Sequence, residues 1–130
     1  MKDLLCDGFQ HTVGDLLVRH RSVLDVISKL QESDARINRA VAKAVTTCGC
    51  IRIEADKQRI PADARFSDIK SYMDSHVSGK LCEHCREVVE SEMGQMMFYL
   101  AALCNVLDLN LYDVMIKEHE RLMMLGAFHF

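Results

Sequence analysis

Apolar side chains recur in alternating steps of three and four through the first part of the chain: Val13, Leu16, Val23, Ile27, Leu30, Ile37, Val41 and Ala44. His20 and Asp34 fill the gaps, and the series reads as a helical stripe close to a heptad seam. Taken as one element it predicts a long N-terminal helix from about Thr12 to Thr46, roughly 50 Å at ~1.5 Å per residue. A small domain cannot cover such a helix alone, so it either breaks near Ser33–Asp34 or packs against a second subunit. His20 on the stripe reads as a hydrogen-bonded core histidine rather than a catalytic base. The stripe stops at Thr46-Thr47-Cys48-Gly49-Cys50, where two β-branched residues and a glycine end a helix. Ile51-Arg52-Ile53-Glu54 then alternates as a short strand does, and a polar loop holding Pro61 follows. Ser67 and Asp68 open a short helix to Met73, and Ser78-Gly79-Lys80 reads as a turn. From Cys82 the helical period returns through Val89, Met93, Met96, Met97, Leu100, Leu103 and Leu107. Asp108 and Asn110 interrupt it, and Asn110 caps a last helix through Leu111, Val114, Met115 and Leu122. With no repeat, low-complexity tract or linker, residues 1–130 read as a single domain.

Composition narrows the class. At 49% apolar residues and a net charge of −3, the chain is that of a folded globule and not a disordered one. The 16 Lys+Arg against 19 Asp+Glu leave no basic excess for a nucleic-acid polymer. One proline, six glycines and no tryptophan argue against a strand-and-turn fold, and eight methionines with abundant Leu, Ala and Glu favour an all-α one. No stretch approaches the ~20 apolar residues of a membrane span. The opening MKDLLCDGFQ has neither a basic region nor an apolar core of a secretory signal, so a cytoplasmic location with reduced thiols is expected.

Six cysteines then need a role other than disulfides. Four form two close pairs, Cys48-Gly49-Cys50 and Cys82-Glu83-His84-Cys85, with residues 51–81 between them. Two short-spaced thiol pairs, each at a turn beside a helix end, are what a tetrahedral Zn²⁺ site requires. Four thiolates would fill the tetrahedron, leave no position for water and make the zinc structural, pinning the excursion at about 48–85 onto the helices. A thiol redox pair, or unrelated buried thiols, are the alternatives. His84 is expected to point outward, and Cys104 to sit in the core, with Cys6 also apart from both pairs.

The run from Glu90 through Glu92, Gln95, Phe98-Tyr99-Leu100 and Asn105 to Leu109-Asn110-Leu111 carries a resemblance. It resembles the second helical half of the MazG-like, all-α nucleotide pyrophosphohydrolases, whose members look like E-E-E-L-G-D-x-L-F-Y-L followed by a polar link and D-L-x-x-A-L. The similarity covers residues 87–121. It implies a helical bundle in which two acid pairs, spaced i, i+3 on adjacent helices, hold Mg²⁺ against a nucleotide's phosphates while a metal-activated water attacks. Carried over, the second pair falls at Glu92 and Gln95, an amide where the family has an aspartate. The first pair belongs near residues 29–39, where Glu32 and Asp34 are followed by Arg36 instead of another acid. Arg36 is then expected to pair with Glu92 in place of the metal. Lys117 and Arg121, spaced i, i+4 on the last helix, would either reach phosphates or stand as surface charges beside Glu118 and Glu120. Glu83, Glu87 and Glu90 share a stripe that reads as a solvated face, and the methionines read as core filling.

The expectation is an all-α, MazG-like bundle with a long N-terminal helix and a small zinc-pinned insertion. It would be a homodimer or larger, with a degenerate acidic site that binds or regulates through a nucleotide or protein ligand. Two alternatives stand beside it: a Mg²⁺-dependent nucleoside triphosphate pyrophosphohydrolase using Glu32, Asp34, Glu87, Glu90 and Glu92, and a thiol- or zinc-based redox sensor.

Overall fold

The N-terminal stripe is helical, but it forms two helices. In a computed structural model, which describes residues 4–126, α1 spans Leu4–Leu16 and α2 spans Val23–Lys43. The break lies at residues 17–22, not at Ser33–Asp34, and α2 continues unbroken through both. Local chemistry explains the position. The Arg21 guanidinium donates to the Leu17 carbonyl at 2.6 Å, satisfying an acceptor that the end of α1 leaves open. His20 takes a left-handed φ of 57°. Ser22 starts α2, its carbonyl accepting from Val26 N at 2.9 Å and its hydroxyl from Leu24 N at 3.3 Å. His20 is therefore no core histidine: it is exposed, with Nδ1 3.8 Å from Asp25 Oδ2.

The fold is predominantly α, with 70% of residues helical and, among the described residues, one two-stranded sheet. It divides into two compact units, residues up to Arg36 with those from Ser91 onward, and Ile37–Glu90. The first unit takes α1, the N-terminal part of α2, the C-terminal part of α4 (Glu83–Val106) and α5 (Leu111–Leu125). Its core joins Cys6, Val13, Val26, Ala101, Ala102, Cys104 and Leu111, with Phe9, Leu17, Phe98, Leu103 and Tyr112 packed against it. A buried amide fastens the α4–α5 corner to α1: Gln10 Nε2 donates to Asn105 Oδ1 (2.9 Å) and Leu109 O (2.8 Å), while Gln10 Oε1 accepts from Leu111 N (2.7 Å). Asn110 caps α5 by accepting from Asp113 N. The methionines are not core filling: Met93 and Met97 on α4 and Met115 on α5 are each about half exposed.

In the second unit, α2 runs into a π-helical turn, Ala44–Cys48, closed by Gly49 N donating to Ala44 O at 2.9 Å. Gly49 accepts the left-handed φ of 80° that this stop requires. β1 (Ile51–Ile53) follows, then a 3-10 turn at Phe66–Asp68 leading into α3 (Ile69–Tyr72), and β2 (Val77–Gly79). The segment expected as a turn at Ser78-Gly79-Lys80 is mostly strand. It pairs antiparallel to β1 with Ile51 opposite Gly79 and Ile53 opposite Val77. Ala44, Ile51 and Cys85 are the unit's core, flanked by Val45, Cys50, Leu81 and Cys82.

Candidate functional site

The π-helical turn places Cys48 and, one residue past Gly49, Cys50; the start of α4 places Cys82 and Cys85. All four lie in the second unit, and their Sγ atoms are within 4.8 Å of one another. Cys48 Sγ and Cys82 Sγ are 3.8 Å apart. A metal with four thiolates at ~2.3 Å in a tetrahedron has edges of about 3.8 Å. A disulfide would need about 2.05 Å, and an iron–sulfur cubane, which interposes iron and sulfide between its cysteines, would spread them wider. The donor set and its spacing therefore fit one tetrahedral metal ion.

The thiols are not equivalent. The Cys85 backbone N–H donates to Cys82 Sγ at 3.4 Å, and this bond chiefly holds the Cys82 thiol down to about 7. Beside that sulfur, and buried, Cys85 is pushed up to about 12. Cys48 is raised too, mainly by its contact with Cys82. Cys48 is exposed and Cys85 buried, so one edge of the site faces solvent. His84 is exposed and outside the thiol group, as expected. Cys6 and Cys104 both lie in the first unit's core, and burial raises the Cys104 thiol.

A second polar site lies within the first unit. A cavity of about 330 Å³ is lined from α2 by Lys29, Glu32, Ser33 and Arg36, and from α4 by Ser91, Glu92, Gln95 and Tyr99. Two pairs spaced i, i+3 line it, Lys29 with Glu32 and Glu92 with Gln95. Both oxygens of Glu32 are taken: Lys29 Nζ is 3.3 Å from Oε2 and Arg36 Nη2 is 3.4 Å from Oε1. The Lys29 ammonium, with Arg36 behind it, holds the Glu32 carboxyl below its usual range. Arg36 thus pairs along its own helix and does not make the expected bridge to Glu92. Glu92 Oε2 is buried with no hydrogen-bond partner among the described residues.

Of the sequence candidates, Glu32, Glu92 and Gln95 come together here, and Asp34 does not. Two residues past Glu32, Asp34 is turned about 200° round the helix and is exposed. Glu83, Glu87 and Glu90 are exposed and do not line the cavity. Lys117 and Arg121 lie on α5, away from its lining, and Arg121 pairs with Glu118. Sequence reading missed Lys29. The signal was present, because Lys29-x-x-Glu32 repeats the spacing of Glu92-x-x-Gln95.

Comparison with protein-family models, with curated proteins and with solved structures finds no match for this chain. Among the described residues no single helix is long and apolar enough to cross a membrane.

Proposed function

We propose that this chain is a MazG-like helical protein that binds a ligand in its polar cavity without hydrolysing it, and that a zinc ion on Cys48, Cys50, Cys82 and Cys85 pins its second unit. One observation carries the reading: two i, i+3 pairs line one cavity, and each has lost an acid. Lys29 occupies the first position of one pair and Gln95 the second position of the other, and each oxygen of Glu32 is already paired with a cation. A divalent metal would find one available carboxylate, Glu92, beside an ammonium and a guanidinium that repel it. Hard Mg²⁺ asks for more oxygen charge than that, and hydrolysis by a metal-activated water falls with it. A structural zinc, worth ~10–16 kcal/mol in small metal-organised folds, would hold together a unit with a very small apolar core. The apolar face made by Met93, Met97 and Leu100 on α4 with Leu107 just past its end, all about half exposed, supports a second copy of the chain as its cover.

The test is turnover. Pyrophosphate release from the eight common nucleoside and deoxynucleoside triphosphates, with Mg²⁺ and with Mn²⁺, should stay at the level of a no-enzyme control. Release that disappears in Glu92→Ala would instead establish the pyrophosphohydrolase. A sensing role draws support from the exposure of Cys48 beside Cys82. Peroxide would take two electrons from those thiols, forming their disulfide and freeing the metal. Metal release reversed by a thiol reductant, with a change of assembly, would be its mark.

A further inference from the structure

We infer that the cavity between Lys29 and Glu92 binds a small oxyanion directly, with no divalent metal, and that Glu92 accepts a hydrogen bond from the same ligand. The inference rests on the ligand-binding reading above and specifies its chemistry. On α2, two cations share a single carboxylate, leaving one positive charge in excess. Glu32 takes one donor position from each. Lys29 keeps further N–H groups, and Arg36 keeps the rest of its planar fork, the geometry that matches phosphate or carboxylate. Ser33 is occupied within the helix, its hydroxyl donating to Lys29 O at 2.9 Å, so the cations are the anion-binding groups on this wall.

The opposite wall asks for the reverse. A buried carboxylate oxygen without a donor is costly; Glu92 lines the cavity, and its Oε2 is such an atom, which a turn of the carboxylate about its last bond would present to a ligand. An N–H or O–H on the ligand would satisfy it. The exposed Gln95 amide offers one more donor and acceptor. The site therefore fits an oxyanion joined to a hydrogen-bond donor, as in a nucleoside monophosphate or a phosphorylated sugar. A volume of about 330 Å³ admits either.

Titration calorimetry on the metal-loaded full chain tests this, using the four ribonucleoside 5′-monophosphates, ribose 5-phosphate and inorganic phosphate. Each is measured in magnesium-free buffer and again with excess Mg²⁺. Chelator is left out so that the cysteine site keeps its metal. At least one organic phosphate should bind equally in both buffers, about tenfold more weakly in Lys29→Ala and in Arg36→Ala. Glu92→Leu should weaken that ligand by a similar factor while leaving inorganic phosphate unchanged or tighter, because it removes the acceptor and a negative charge. Selectivity for a nucleotide over ribose 5-phosphate identifies the base as the donor, and equal binding identifies the sugar hydroxyls. Binding that appears only with Mg²⁺ overturns the metal-free site and leaves the ligand-binding reading standing. No binding of any probe in either buffer overturns both. Circular dichroism of each variant separates loss of the site from loss of the fold.

Discussion

Cys48 Sγ and Cys82 Sγ sit 3.8 Å apart although 34 positions separate them in the chain. The backbone arranges this from both ends. A π-helical turn closed on Ala44 O presents Cys48, and the opening of α4 presents Cys82 with the Cys85 N–H aimed at its sulfur. Between them the three-residue pairing of β1 with β2 brings the chain back. A metal there would close a long loop that has little apolar burial of its own.

Thiol reactivity should separate the clustered cysteines in the metal-free, reduced chain. Cys82, held to about 7 against an ordinary 9.0, favours its thiolate in the folded state. Its stabilising contribution is full above pH 9 and is lost as pH falls through about 7. Cys85 has the opposite sign: raised to about 12, it contributes below pH 9 and loses that contribution as pH climbs toward 12. Iodoacetamide at pH 7.5, read by peptide mass spectrometry, should label Cys82 well before Cys85, with a rate inflection near pH 7. Preferential labelling of Cys85 would contradict the arrangement.

Gly79 is required by β2. Its φ is +85°, and a Cβ there would lie 2.6 Å from the Cys50 carbonyl oxygen, a backbone atom of a cysteine in the four-thiol cluster. Gly79→Ala should cost about 2 kcal/mol or more in denaturant unfolding. Gly94, inside α4 with nothing within 4 Å of its Cβ position, is the control: Gly94→Ala should add about 0.5–1 kcal/mol through helix propensity.

Removing the Gln10 amide leaves Leu109 O and Leu111 N without their partner in a buried corner. Gln10→Ala should lower unfolding stability by about 2–4 kcal/mol, summed over the lost bonds and orphaned groups. Hydrogen exchange should show faster opening at the start of α5. A variant as stable as the parent, with unchanged protection at Leu111, would show the amide to be dispensable.

The half-exposed apolar face of α4 predicts self-association. Sedimentation at micromolar concentration should give a dimer or larger, and Met97→Glu should shift it toward monomer by putting a charge on the covered strip. A monomeric parent would show that Met93, Met97, Leu100 and Leu107 face solvent alone.

Much of the fold was legible in local pattern. The Asn110 cap, the short strand at Ile51, the helix from Cys82 onward and the pairing of the four cysteines all announce themselves through spacing. The break at residues 17–22 did not, because no glycine or proline marks it. It is made by Arg21 reaching back to Leu17 O and by Ser22 opening a new helix, and both side chains fit a helix equally well. β2 was hidden because Val77-Ser78-Gly79 is too short to show a period, and its partner strand decides its conformation. At the cavity, Glu32, Glu92 and Gln95 were readable from the resemblance. Asp34 has the charge for the site but not the phase on the helix, and Lys29 has the phase but the opposite charge.

The tetrahedral thiolate site is the claim that organises the second unit, and metal content tests it most directly. Protein purified under reducing conditions without added metal should carry about one Zn²⁺ per chain by elemental analysis, with Cys48, Cys50, Cys82 and Cys85 protected from alkylation until the metal is chelated. Protein with no bound metal and all four thiols alkylated at once would contradict it.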